Sequence, residues 1–109
     1  MRRAEIYMSG SMAGILEEHD DGYSFRYDHA YMNEDDAFAI SLSLPLREEP
    51  YQDKRLFPFF DGLIPEGWLL DIAEQTWKLD PRDRTGLLLA CCRDCIGAVS
   101  VVALEEINE

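Results

Sequence analysis

Hydrophobic positions recur at every second residue through the first half of the chain. In "RAEIYM", residues 3 to 8, Ala4, Ile6 and Met8 fall on one face, the alternation of a half-buried strand. Gly10 and Gly14 interrupt it. "ILEEH" and "YSFRY" then flank "DDG", and Asp21-Gly22 between two strand-like runs predicts a hairpin, because such turns take residues that tolerate positive φ. Tyr23, Phe25 and Tyr27 share a face. The most regular alternation is "AFAISLSLPL", residues 37 to 46, with Phe38, Ile40, Leu42 and Leu44 on one side and Ala39, Ser41 and Ser43 on the other. It predicts a strand that stops at Pro45 or runs along an edge, since proline donates nothing to a ladder. "REEPYQDKR" reads as an exposed loop.

From residue 56 onward the period lengthens to about four. Trp68, Leu69, Ile72, Ala73, Thr76 and Trp77 recur at helical spacing, and Pro65 and Glu66 suit a first turn. A second helix is expected over 81 to 93, with Asp80 as the capping side chain, Pro81 at the first position and Asp83 near the positive end of the dipole. Gly97 closes that segment, and "AVSVVAL" returns to strand chemistry. Strands, then two or three helices, then a last strand predict an α+β fold: a mostly antiparallel sheet with the helices packed on one side. A chain of 109 residues without an internal polar linker is expected to be one domain over 1 to 109.

Charge narrows the function. Ten basic residues against twenty-two acidic ones give a formal charge of -12, which repels phosphate backbones and anionic lipid head groups. Neither a nucleic acid nor a membrane is an expected direct partner. The acids cluster at Asp20-Asp21, Glu34-Asp35-Asp36, Glu48-Glu49, Glu105-Glu106 and Glu109, as a solvated rim that is also able to attract a basic partner. Arg2 and Arg3 are not followed by an apolar run, so no signal peptide is read, and no stretch approaches the roughly 20 apolar residues of a membrane span. A cytoplasmic location is expected. Cys91, Cys92 and Cys95 make a poor disulfide framework, in keeping with a reducing compartment.

The chain carries no convincing reactive centre. His19 and His29 bracket the hairpin with no nucleophile placed beside them, and the glycines form neither a dinucleotide nor a phosphate-binding motif. "CCRDC" offers one CxxC, Cys92 to Cys95, without the two further ligands a zinc site needs. Asp61 and Glu66 flank "GLIP" and suit backbone capping better than acid and base work. The expectation is no catalytic residue, no metal and no cofactor. Trp68 and Trp77, nine positions apart, border opposite edges of the apolar arc at about 100° per residue, so they do not share one core site. A tryptophan beside a proline-stiffened turn suits a binding anchor.

Three segments carry a family likeness. "AISLSLPL", "LFPFFDGLIPEGW" (residues 56 to 68) and "DRTGLLLACCRDCIGAVSV" occur in that order, and over residues 4 to 104 the chain resembles the N-terminal subdomain of HipA-type serine/threonine kinases, toxins of bacterial toxin-antitoxin systems. The resemblance implies a module without the kinase's own ATP site. It also implies the role of the stand-alone form of this subdomain, the HipS-like component of HipBST systems, in which a HipT-like kinase is the toxin and a HipB-like helix-turn-helix protein binds DNA. Neutralisation of the kinase by docking near its active site is the implied function, with Phe59, Phe60, Asp61, Glu66 and Trp68 as the partner-binding residues. A scaffold subunit that completes or activates a split HipA-type kinase is the alternative.

Overall fold

The computed structural model describes residues 2–35, 37–64, 82–91 and 99–104. Its strands are β1 (Arg3–Met8), β2 (Ser11–His19), β3 (Gly22–Tyr27), β4 (Tyr51–Asp53) and β5 (Val99–Ala103); the helices among these residues are α1 (His29–Met32), α2 (Pro58–Asp61) and α3 (Arg84–Cys91). The strands form one sheet in the order β4-β3-β2-β1-β5, and every neighbouring pair is antiparallel. This is the α+β architecture expected from the pattern.

Local chemistry explains the connections. Ser9 and Gly10 both have positive φ, 51° and 87°, which makes the tight turn that reverses β1 into β2. Gly10 breaks the pattern at that turn as expected, whereas Gly14 does not: β2 continues through it, and the irregularity there is a register shift at Ile6/Tyr7. The hairpin at 19 to 22 forms with His19 opposite Gly22, whose φ of 147° supplies the left-handed geometry. Asp28 then caps α1, its carboxylate accepting from the Tyr31 N–H at 3.1 Å.

One face of the sheet makes the core. Ala4, Ile6, Leu16, Phe25, Tyr27, Val99 and Val101 are buried there, together with Leu56, Phe57, Phe60 and Ile64 around α2 and Leu87 and Leu88 of α3. Phe25 links the aromatics of the sheet to those of α2, meeting Tyr27 at 4.9 Å and Phe60 at 5.5 Å, both edge to face. The valine-rich segment forms β5 at one edge, the strand its chemistry predicts.

Two expectations from the pattern are corrected. Residues 37 to 46 are not a strand: apart from one bridge between Ser41 and Leu44 they form a loop, and only Ile40 and Leu44 of the four alternating residues are buried. The physical cause is Tyr27, whose hydroxyl donates to the Leu44 carbonyl and accepts from the Ile40 N–H at 3.1 Å. Backbone groups that a ladder would use are thereby satisfied by one buried side chain. Conversely, "REEPYQDKR" is not all loop, because Tyr51–Asp53 adds β4 to the edge of β3.

The second helix is shorter at its start than its periodicity indicates. Residues 82 and 83 are non-helical, α3 begins at Arg84, and Asp83 accepts from the Gly86 N–H at 3.1 Å, so Asp83 caps the helix that Asp80 was expected to cap. Asp80 and Pro81, the helix expected over Trp68 to Trp77, and the end of the expected 81–93 helix lie outside the described residues.

Candidate protein-docking site

The stretch beginning at Leu56 folds into a single tight helical turn. Pro58 occupies the start of α2, where its missing N–H costs nothing, and the Gly62 N–H returns to the Pro58 carbonyl at 2.9 Å. The Ile64 N–H closes a further turn on the Asp61 carbonyl at 3.2 Å. Winding this tightly places Phe57, Phe60 and Ile64 inward, all in the buried core. Phe59 is left half-buried, its ring edge-on to Phe60 at 5.2 Å.

The partner-binding residues expected from the sequence therefore separate. Phe59 and Asp61 reach the surface. Phe60 does not: it is fully buried, so its part is to fix the turn from beneath rather than to touch another molecule. Helical winding, not aromatic content, decides which ring is displayed. Glu66 and Trp68 lie outside the described residues, as do Trp77, Cys92 and Cys95.

Asp61 is committed to Arg84, whose Nε lies 2.7 Å from its Oδ1 across a half-exposed gap. This pair joins α2 to α3. Among the described residues this charged pair with the first residue of α3, rather than a backbone cap, is the bond the Asp61 carboxylate makes.

A second set of charges holds α3 against the sheet. The Arg2 guanidinium forks onto Glu18 of β2 through Nε at 2.7 Å and Nη2 at 2.9 Å, and onto Asp83 through Nη1 at 2.9 Å and Nη2 at 2.8 Å. Hydrogen bonds from Arg2 hold both carboxyls below their usual range, and those to Asp83 and then Glu18 raise the guanidinium further above its own. Beside this clamp the buried Thr85 donates to the Tyr23 hydroxyl at 3.0 Å. Ile64 on one side and Asp83 on the other are thus fixed points, and the chain between them carries Glu66 and Trp68.

The remaining candidates are modest. The half-buried His19 has Nε2 2.9 Å from Ser24 Oγ, while His29 is exposed. Among the described residues no group of three metal-ligating side chains comes together, and no helix is long and apolar enough to cross a membrane.

Sequence reasoning missed one surface. Phe38, 54% exposed, and Leu42, fully exposed, are the large hydrophobic side chains that stand in solvent among the described residues, and both belong to the loop that reads as a strand. Three tyrosine hydroxyls brace that loop: Tyr27 on Leu44, Tyr31 on the Phe38 carbonyl at 2.7 Å, and Tyr51 on the Pro45 carbonyl at 2.6 Å. Burial pushes the Tyr27 hydroxyl up to about 12. The only signal in the sequence was Pro45, which argues against a central strand.

A family model described as the HipA N-terminal domain matches residues 4–102. An uncharacterized protein of Haemophilus influenzae is 31% identical over 101 residues, covering 93% of this chain and 92% of that protein. A Sinorhizobium fredii protein whose name calls it a kinase is 27% identical over 107 residues, covering 97% of this chain but only 26% of its own length. Among solved structures, the N-terminal domain of HipA toxin superposes with a TM-score of 0.72 at 25% identity, covering 98% of this chain and 96% of that one.

Proposed function

Because the chain belongs to the HipA N-terminal domain family, we propose that it acts as a HipS-like antitoxin, binding a separate HipT-like serine/threonine kinase and neutralising it by docking near its active site. The carrying observation is that the match spans residues 4–102 and is to the non-catalytic N-terminal domain of HipA. The relatives support a detachable module, since the same region accounts for 92% of the Haemophilus influenzae protein and 26% of the Sinorhizobium fredii one. A module of this kind acts through its surface. On this reading Phe59 and Asp61 form one margin of the contact, Phe60 supports it from the core, and Glu66 and Trp68 supply further contacts, with Trp68 as anchor. A HipB-like helix-turn-helix protein is the third member of the assembly.

Co-expression with a HipT-like kinase tests the proposal. Relief of growth arrest and co-purification of the two proteins are expected, with Trp68→Ala weakening both while the isolated protein keeps its far-UV circular dichroism spectrum. A kinase that stays toxic and unassociated would sink the reading. Autophosphorylation measured with and without this protein gives the sign: suppression fits an antitoxin, and stimulation assigns the scaffold role instead.

A further inference from the structure

An exposed leucine on a slack loop folds back onto the nearest apolar surface; Leu42 has no such freedom. Ile40 and Leu44 on either side of it are buried, the Leu44 N–H closes a turn on the Ser41 carbonyl at 3.1 Å, and the Ser43 N–H bonds Ser41 Oγ at 3.2 Å. Tyr31, Tyr27 and Tyr51 hold the backbone at Phe38, Ile40, Leu44 and Pro45. The turn is ordered before anything binds, so burying Leu42 against a partner forfeits little conformational entropy. Exposed acids stand at both ends of the loop, Glu34 and Asp35 before it and Glu48 and Glu49 after it, and the one cation between them, Arg47, is engaged over the Tyr51 ring at 3.7 Å.

We propose that this loop is a second docking arm, resting on the reading of the protein as a kinase antitoxin: Leu42, joined by the exposed Phe38 of the same loop, enters an apolar pocket rimmed by basic side chains on the same kinase. The charge arrangement selects this occupant. Apolar tip and acidic flanks complement an apolar pocket with a basic rim, whereas a second copy of this chain would bring the same acids, and a formal charge of -12, against themselves. The arm is separate in sequence from the Phe59 to Trp68 margin, so substitutions at Leu42 and Phe38 test it apart from that margin.

Titration calorimetry of the full chain against a purified HipT-like kinase tests the arm with Leu42→Ser and Phe38→Ser. Leu42→Ser is expected to weaken binding by about 20-fold, the scale of one leucine side chain removed from water, and Phe38→Ser by less. Both variants should keep the wild-type urea midpoint, because neither side chain is buried. Wild-type affinity in Leu42→Ser overturns the arm and leaves the antitoxin reading standing. Absence of binding by the wild-type chain overturns that reading and the arm with it. Light scattering of the free protein adds a third outcome: a wild-type dimer that Leu42→Ser converts to a monomer would assign the loop to self-association and overturn the proposal.

Discussion

Residues 37–46 and 56–64 are similar in apolar content and opposite in what they show to solvent. The loop at 37–46 has the period of a buried strand, yet it displays Phe38 and Leu42; the turn at 56–64 has the composition of an aromatic surface, yet it buries Phe57, Phe60 and Ile64. The difference lies in where the backbone finds its hydrogen bonds. In 56–64 they close locally, from Gly62 to Pro58 and from Ile64 to Asp61, and the resulting turn rolls Phe57 and Phe60 beneath it. In 37–46 one turn also closes locally, from Leu44 to Ser41, but the Ile40 N–H and the Leu44 carbonyl go to the Tyr27 hydroxyl in the core, which pins Ile40 and Leu44 inward and throws Leu42 out. Apolar content alone does not locate a surface.

The comparison breaks most visibly at Phe60. Phe60→Ala is expected to lower the unfolding free energy by about 3–5 kcal/mol, measured by urea denaturation, because it empties the centre of an aromatic cluster. A loss below about 1 kcal/mol would mean the turn is not seated in the core as described.

Tyr27→Phe probes the other region. It leaves the Ile40 N–H and the Leu44 carbonyl without their partner, at an expected cost of about 1–3 kcal/mol and with faster amide exchange at Ile40. The same hydroxyl gives a base-side signature. Its folded value is raised by burial from 10 to about 12, so the stability it contributes is whole below pH 10 and is lost as pH rises through about 12.

Acid should act on the clamp at α3 and spare the tyrosine-braced loop. Glu18 and Asp83 titrate below their ordinary values of 4.5 and 3.8, so the clamp's contribution is present above those values and lost as pH falls through the depressed ones. For such part-exposed groups the effect is about 1 kcal/mol. Hydrogen-exchange protection at Leu87 of α3 should therefore fall in acid while that at Ile40 holds, and Arg2→Met should abolish the contrast. The smallest effect is on folding at Leu42 itself: Leu42→Ser should leave the stability within about 0.5 kcal/mol of wild type by urea denaturation.

Legibility tracked the range of the interactions involved. The β1 alternation, the hairpin before Gly22 and the closing valine strand were readable because side-chain period and turn chemistry are local properties. The cap of α3 stands at Asp83 rather than at Asp80, because both positions offer the same side chain and local spacing does not register the Arg2 clamp that reaches Asp83 across the chain. β4 was unreadable for a related reason: Gln52 and Asp53 have no strand character of their own and pair only because β3 has a free edge. At the candidate site, Phe59 and Asp61 were legible as surface residues, whereas the burial of Phe60 depended on which way a single turn is rolled.

From the amino-acid order alone came the α+β class, the antiparallel strands at both ends, the acidic surface and the likeness that places the chain among HipA N-terminal domains. Only the folded molecule decided which apolar side chains face water. That choice belongs to Tyr27, Tyr31, Tyr51 and Arg2, whose polar ends bond backbone and carboxylate groups up to 81 positions away. Periodicity cannot register such bonds, because it reports only neighbours along the chain.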